Sequence, residues 1–455
     1  MDKRLLVICS IFALALTFFS FPDGALSVML ILIIAIPTVA LIRKYAEEKE
    51  FLTNVFFIAL LFRIGLGTLI HVFDLRGLFG PDAITYDGIG QRMVEIWKGL
   101  AVPSDFYTLE AQNPGSSGWG MNYLVGSIYL IFGPSILAVQ TFCGIIGALT
   151  APMIYYCADN IFNNKRVSKL SALFIALFPS FIIWSSQLLK DGLIIFLLVC
   201  AMTAILQLRK NFNSFNVALL IFSLFGIFSL RFYIFYMVAT SVVGSLVMGL
   251  NTTLVSTVRN TIIIILVGLT LTYLGVIRNA TSDFEKYGNL ERIQISRQYL
   301  ATSAGSGFGE DVDVSTTSGA ISTIPIGLLY LFFAPFPWEV TKLSQALVLP
   351  ETFVWWALIP IFISGLWYTL KNKLRGATPI LLFSLMLSIS YAIFQGNVGM
   401  LYRQRTQLQV FLFIFIAVGW TIIRERRENR NILAQAKKNQ LRKKIQVQQV
   451  KYNHR

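Results

Sequence analysis

The 455-residue chain has two histidines, His71 and His454, too few for a histidine-based metal site. Its four cysteines, Cys9, Cys143, Cys157 and Cys200, fall in or at the edges of apolar runs. They have neither metal-ligand spacing nor a disulfide pattern and read as small buried hydrophobes. Charge is scarce as well: 13% of residues are charged, against about 25% in a soluble domain, and 55% are hydrophobic. No Walker pattern, dinucleotide fingerprint or internal repeat occurs. What recurs instead are apolar runs of about 17–25 residues, the length that crosses a bilayer. The chain therefore reads as an all-α polytopic membrane protein. The first run, Leu5 to Phe21, has basic flanking residues like a signal peptide. It lacks a convincing cleavage site and a second run begins at Ala25, so it reads as an uncleaved span.

Twelve transmembrane helices are expected, near 4–21, 25–42, 51–73, 135–157, 168–187, 191–208, 215–231, 232–250, 260–276, 350–369, 377–395 and 407–423. Basic residues at 3–4, 43–44, 165–166, 209–210, 371–375 and from Arg424 onward then share one side, cytoplasmic by the positive-inside rule. Two apolar segments are expected not to cross. Met121 to Phe132 is too short, and 321–337 carries Pro325, Pro335 and Pro337, which disfavour a continuous helix. Two long outer loops, about 74–120 and 277–349, carry short surface helices, and the Ser/Gly/Thr-rich stretch from Thr302 to Ser318 reads as mobile. Residues 1–423 read as one transmembrane domain and 424–455 as a basic cytoplasmic tail. The tail has eleven basic and two acidic residues. Anionic lipids of the inner leaflet are its expected partner rather than nucleic acid.

The chemistry concentrates in Pro81-Asp82-Ala83-Ile84-Thr85-Tyr86-Asp87, just past the third span. Carboxylates near hydrocarbon are costly to hold and tend to serve ions, substrates or catalysis. Asp82 and Tyr86 share a helix face if Pro81 starts a helix. Asp82 also suits the positive end of a helix dipole, so spacing alone leaves a structural reading open. Arg403 and Arg405 lie at the outer mouth of the last span, against the topological charge bias, and suit phosphate. Lys190 and Arg231 lie at outer helix ends, Lys190 with a possible ion-pair partner in Asp191. Trp338 is the candidate sugar contact among the interfacial aromatics. Arg63, inside the third span, is expected to face other helices or a wet cavity.

Several pieces follow one another in a particular order: Asp82-Ala-Ile-Thr-Tyr86; Asn122-Tyr123-Leu124 through Phe132-Gly133; Tyr155-Tyr156 through Lys165-Arg166; then Phe178-Pro179-Ser180 and Trp184-Ser185-Ser186. This order, along about a quarter of the chain, resembles the bacterial GT-C glycosyltransferases. These polyprenyl-phosphate-sugar enzymes are related to protein mannosyltransferases and lipid A aminoarabinose transferases. The resemblance implies Asp82 as catalytic base, with Asp87 or Asp74 as alternatives, and Tyr86, Lys190, Arg231, Trp338, Arg403 and Arg405 as substrate contacts. It implies a polyprenyl-phosphate-linked sugar as donor and a glycan, lipid or protein as acceptor. The chain departs from the pattern at Ala83, where the family often has a second acid, and in two extra spans before the loop. No nucleotide-binding motif is required; the acidic loops could hold a divalent metal, but no ligand spacing demands one. Two other readings compete. One is a polysaccharide polymerase or O-antigen-ligase-type enzyme using polyprenyl-pyrophosphate-linked glycans. The other is a lipid or small-molecule transporter, for which midplane charges and inverted repeats are wanting.

Overall fold

In the computed structural model the described residues are 3–20, 23–113, 118–248, 254–276, 289–303, 306–340 and 343–453, and their regular structure is entirely helical. The chain opens with α1 (Lys3–Phe18), α2 (Asp23–Tyr45) and α3 (Lys49–Val72). The polar segment after α3 forms α4 (Arg76–Phe79), α5 (Asp82–Trp97), α6 (Phe106–Gln112) and α7 (Trp119–Phe132). Next come α8 (Ile136–Phe162), α9 (Lys165–Leu177), α10 (Pro179–Ser185), α11 (Lys190–Leu208), α12 (Ser214–Leu230), α13 (Phe232–Met248) and α14 (Leu254–Tyr273). The last group is α15 (Leu290–Ser303), α16 (Thr317–Phe333), α17 (Leu343–Asn372), α18 (Leu374–Phe394) and α19 (Val398–Asn453).

Among the described residues, seven helices are long and apolar enough to cross a membrane: α2, α3, α8, α11, α17, α18 and α19. The pair α9–α10, bent by 54°, makes an eighth if it is one span. The protein is thus an integral membrane protein, with fewer long spans than the twelve expected. Helices occupy the other expected positions, but α12, α13 and the apolar part of α14 are shorter. The segment 321–337 differs from expectation. Residues up to Phe333 form one continuous helix with Pro325 inside, and the other two prolines lie beyond its end. An internal proline removes one hydrogen bond, and packing can offset that loss. Here Gly327 lies so near α18 that a Cβ on it would come within 2.2 Å of the Ala392 carbonyl oxygen.

The 54° bend shows how buried arginines work in this fold. Pro179 has no N–H for the carbonyl of Ile175, four residues back. Arg63, fully buried on α3, donates to that oxygen at 3.0 Å and to Ala176 at 3.4 Å, and its Nε donates to Ser185 Oγ at 2.8 Å. Arg297 likewise donates to the carbonyls of Ile393 and Gln395 at the end of α18. Such carbonyls have no intrahelical donor, and a cation suits that end of the helix dipole.

The core runs along α8, α11 and the first half of α19, which are buried over most of their apolar lengths. α17 and α19 meet at glycine. A Cβ on Gly365 would lie 1.8 Å from the Phe415 oxygen, and one on Gly419 would lie 2.1 Å from the Ile361 oxygen. Small residues let two membrane helices touch backbone to backbone. Gly365→Leu is therefore expected to lower stability by at least about 1–3 kcal/mol, the usual range for overpacking. A thermal melt of the purified variant that matches the parent would contradict this contact.

The basic residues gather at one end of the bundle. Lys165 and Lys169 pair with Glu47 and Glu48, Arg166 pairs with Glu428, and Arg259 donates to the carbonyls of Arg209 and Lys210. At about 1.5 Å per residue, Arg403 and Arg424 stand about 32 Å apart along α19, close to the thickness of a bilayer's hydrocarbon core. The basic end and the Arg403 end thus lie on opposite sides of one span.

Candidate active site

The segment between α3 and α7 fixes most of its own charges locally. Asp105 caps α6 through the Thr108 N–H and accepts from Arg92 at 2.9 Å, and these bonds, the Arg92 one first, hold its carboxyl down at about 2. Asp74 pairs with Arg76 at 3.1 Å and is largely exposed. Asp87 accepts from Tyr129 at 2.5 Å and from Gln91 at 3.2 Å. Asp82 is different: its partner is Arg403, 321 residues away, with Nη1 donating to Oδ2 at 2.7 Å.

Asp82 is the first residue of α5, after Pro81, so the expected helix start is present. The loop before it reaches the bundle through Gly80, where a Cβ would come within 2.7 Å of Gln187 Oε1. Arg403 lies in the second turn of α19. Its Nε donates to Asp191 Oδ2 at 2.7 Å, and its Nη2 lies 2.5 Å from the same oxygen. The guanidinium also sits over the Trp184 ring, 5.6 Å from the centroid. Asp191 is fully buried in the first turn of α11, where the helix dipole favours a carboxylate. A second guanidinium, Arg231 at the end of α12, lies 3.7 Å from Asp191 Oδ1. A buried carboxylate is tolerable only with such compensation.

Two more groups complete the site. Lys190 is within electrostatic reach of Asp82, Asp191, Arg231 and Arg403. Gly118 brings the start of α7 against it: at φ +86° it accepts a backbone that suits glycine, and a Cβ there would lie 2.9 Å from Lys190 Nζ. Tyr86 is one turn after Asp82. Burial, then the charges of Asp82 and Asp191, push its phenol up to about 12, so at neutral pH it keeps its proton and can donate it in a hydrogen bond. Three cations thus surround two carboxylates, of which only Asp82, with its side chain 49% exposed, is open to solvent.

Asp82, Tyr86, Lys190, Arg231 and Arg403 come together; Asp74, Asp87, Trp338 and Arg405 do not join them. Residues two apart on a helix point nearly opposite ways, so Arg403 and Arg405 cannot serve one ligand as neighbours. Arg405 is fully buried and donates to the carbonyls of Ala334 at 2.9 Å and Phe332 at 3.4 Å, at the end of α16. Its role is that of Arg63 and Arg297. Arg405→Met should destabilise the protein by about 1–3 kcal/mol, the cost of orphaned buried acceptors. It should leave affinity for a phosphate-bearing lipid unchanged, measured by titration in detergent; a selective loss of that affinity would return Arg405 to the site. Trp338 is 76% exposed and stacks on Phe336 in a different region. Sequence reasoning saw Asp191 only as a partner for Lys190 and missed it as the hub; its one signal was a charged doublet opening an apolar run. Among the described residues no group of three or more His, Cys, Asp or Glu could hold a metal ion.

No protein-family profile and no curated protein matches this sequence. Among solved structures, the chain is similar to the oligosaccharyltransferase of Archaeoglobus fulgidus in its apo form, with 14% identity and a TM-score of 0.48. It is also similar to the archaeal oligosaccharyltransferase AglB from Archaeoglobus fulgidus in complex with an inhibitory peptide and a dolichol-phosphate, with 13% identity and a TM-score of 0.48. Each alignment covers 86% of this chain and 52% of the other, so the chain spans about half the length of these proteins. Likeness at this level assigns no activity, and function has to be argued from the side chains.

Proposed function

We propose that the protein is a membrane glycosyltransferase that moves a sugar from a polyprenyl-phosphate donor to an acceptor on the extracytoplasmic face. One observation carries the reading: Arg403 joins a half-exposed carboxylate, Asp82, to a fully buried one, Asp191, with Arg231 and Lys190 beside them. The excess positive charge suits a phosphate, and the planar guanidinium can offer two N–H groups to its oxygens. Asp191 orients Arg403 from behind. Asp82 takes the proton of the acceptor hydroxyl, whose oxygen bonds to the anomeric carbon. The bond from that carbon to the phosphate oxygen breaks, and the lipid phosphate leaves with the electron pair towards Arg403, Arg231 and Lys190.

With α1, α12, α13 and α14 taken as spans, α9–α10 as one, and α7 and α16 as not crossing, the chain crosses twelve times, so both termini share one side, which the basic loops and tail make cytoplasmic. Asp82, Lys190, Asp191, Arg231 and Arg403 then all fall outside. Arg259 falls inside, in keeping with its bonds to the carbonyls of Arg209 and Lys210. The basic end of α19, beyond residue 423, faces anionic lipids.

The test is transfer by the purified protein from radiolabelled polyprenyl-phosphate sugars, run beside polyprenyl-pyrophosphate sugars. Transfer from the monophosphate supports the reading. Transfer from the pyrophosphate alone moves the protein to the polymerase or ligase class, and transfer from neither removes the transferase reading.

A further inference from the structure

Away from Arg403, a cavity of about 510 Å³ opens between the second outer loop and the start of α19. Its floor and walls include Phe308, Tyr330, Phe336, Glu310 and Glu339, with the hydroxyl residues Thr302 and Ser306 at its edge. The loop is not loose where it is described. Phe308 N–H donates to the Gly396 carbonyl at 2.8 Å, Val398 N–H donates to Ser306 O at 2.9 Å, and Ser306 Oγ donates to Asn397 Oδ1 at 3.0 Å. Gly307 lets the loop fold back on the end of α15, since a Cβ there would lie 1.7 Å from the Ala301 oxygen. Part of the stretch expected to be mobile, 306–308, is therefore bonded to 396–398 at the start of α19; residues 304–305 lie outside the described residues. Val398 lines the cavity, and Arg403 follows about 7.5 Å further along the same helix.

The lining has a particular chemistry. Phe308 and Tyr330 stack at 4.1 Å, Tyr330 meets Phe336 edge-on at 5.3 Å, and Trp338, outside the lining, stacks on Phe336 at 5.2 Å. The Tyr330 hydroxyl donates to Glu339 at 3.0 Å, which fixes one carboxylate against the aromatic group. Pyranose rings present C–H faces that rest on aromatic rings and hydroxyl edges that donate to carboxylates. Among the described residues, none of the cavity's side chains is cationic. Arg297, behind Phe308, is buried and bound to carbonyls. Uronic acids, sulfated sugars and phosphates therefore meet two carboxylates with no counter-charge among the described residues.

We infer that this cavity binds a glycan of neutral or amino sugars and holds it as the acceptor for the site at Arg403. The role as acceptor rests on the transferase reading; binding does not, and is measured without any donor. The full chain in nanodiscs is titrated with tetramers of N-acetylglucosamine, glucosamine, glucose and galacturonic acid, followed by tryptophan fluorescence and saturation-transfer NMR. At least one of the first three is expected to bind saturably, and galacturonate is not. If glucosamine alone binds, the carboxylates select an ammonium; if the neutral tetramers bind, stacking and hydroxyl contacts suffice. Glu310→Gln, an exposed position, and Tyr330→Ala should each weaken binding about ten-fold. Tyr330→Phe should keep stacking, which controls for misfolding of the alanine variant. The proposal is overturned if galacturonate binds as well as the others, if none of the first three binds, or if binding is the same in both weakening variants. Binding without transfer would leave the cavity standing and remove the enzyme reading; transfer without binding would do the reverse.

Discussion

Asp82→Asn is expected to slow sugar transfer by about 10²- to 10⁴-fold, the range for removal of a positioned general base. The amide cannot take the acceptor's proton, but its oxygen can still accept from Arg403, so the guanidinium keeps its place. The side chain is half exposed, and the ion pair it loses is worth at most about 1 kcal/mol in such a setting. Thermal stability should therefore stay near that of the parent. Single-turnover transfer from a polyprenyl-phosphate sugar measures the effect, with Asp87→Asn as comparison. Asp87 is occupied by Tyr129 and Gln91, outside the cationic group, and its replacement should leave the rate unchanged. Loss in the Asp87 variant with full activity in the Asp82 variant would move the base to Asp87.

The second large effect concerns Arg403. Arg403→Leu removes the hydrogen bonds to Asp191, whose side chain is wholly inaccessible, and leaves it only Arg231 at 3.7 Å and Lys190, so it should cost up to about 3–5 kcal/mol in stability, the range for a broken buried ion pair. It should also abolish measurable transfer. The two consequences are separable. Arg403→Lys keeps a positive charge but lacks the planar fork that reaches both carboxylates, so transfer should fall about 10²- to 10³-fold with a smaller loss of stability. Combining Asp191→Leu with Arg403→Leu removes that pair but leaves buried Arg231 without its carboxylate, so it should recover little of the lost stability and should not restore transfer. Thermal unfolding followed beside single-turnover rates gives both numbers. An Arg403→Leu protein as stable as the parent would mean that the pair with Asp191 does not hold the bundle's outer end together.

Much of this was readable from local signals. Apolar length marks α2, α3, α8, α11, α17, α18 and α19 because membrane crossing is set by a stretch of consecutive residues. Pro81, Asp82 and Tyr86 were readable for a similar reason: proline favours a first helical turn, and a spacing of four shares a face. Arg403 and Arg405 were not separable by composition, since both are arginines at one mouth. Helical geometry says that they point apart; only their partners say which one stands among the carboxylates. Arg405 meets the carbonyls that end α16, whereas Arg403 meets two carboxylates from α5 and α11.

The sequence by itself determined that the chain lives in a membrane, where its long apolar helices fall and that Asp82 opens a helix; it did not determine the helix over Thr317–Phe333. These follow from hydrophobicity and backbone sterics, which act over a few turns. The tertiary structure alone decided that Asp191 is the buried hub, that Arg63 serves the Pro179 break, and that Asp87 belongs to Tyr129. Each depends on a charge or carbonyl finding its partner across the bundle. The cost of leaving such a group unpaired in a low-dielectric interior selects that partner whatever its distance along the chain. What opened as two carboxylates beside an apolar helix is thus resolved into one that is locally satisfied and one that is held by an arginine 321 residues away.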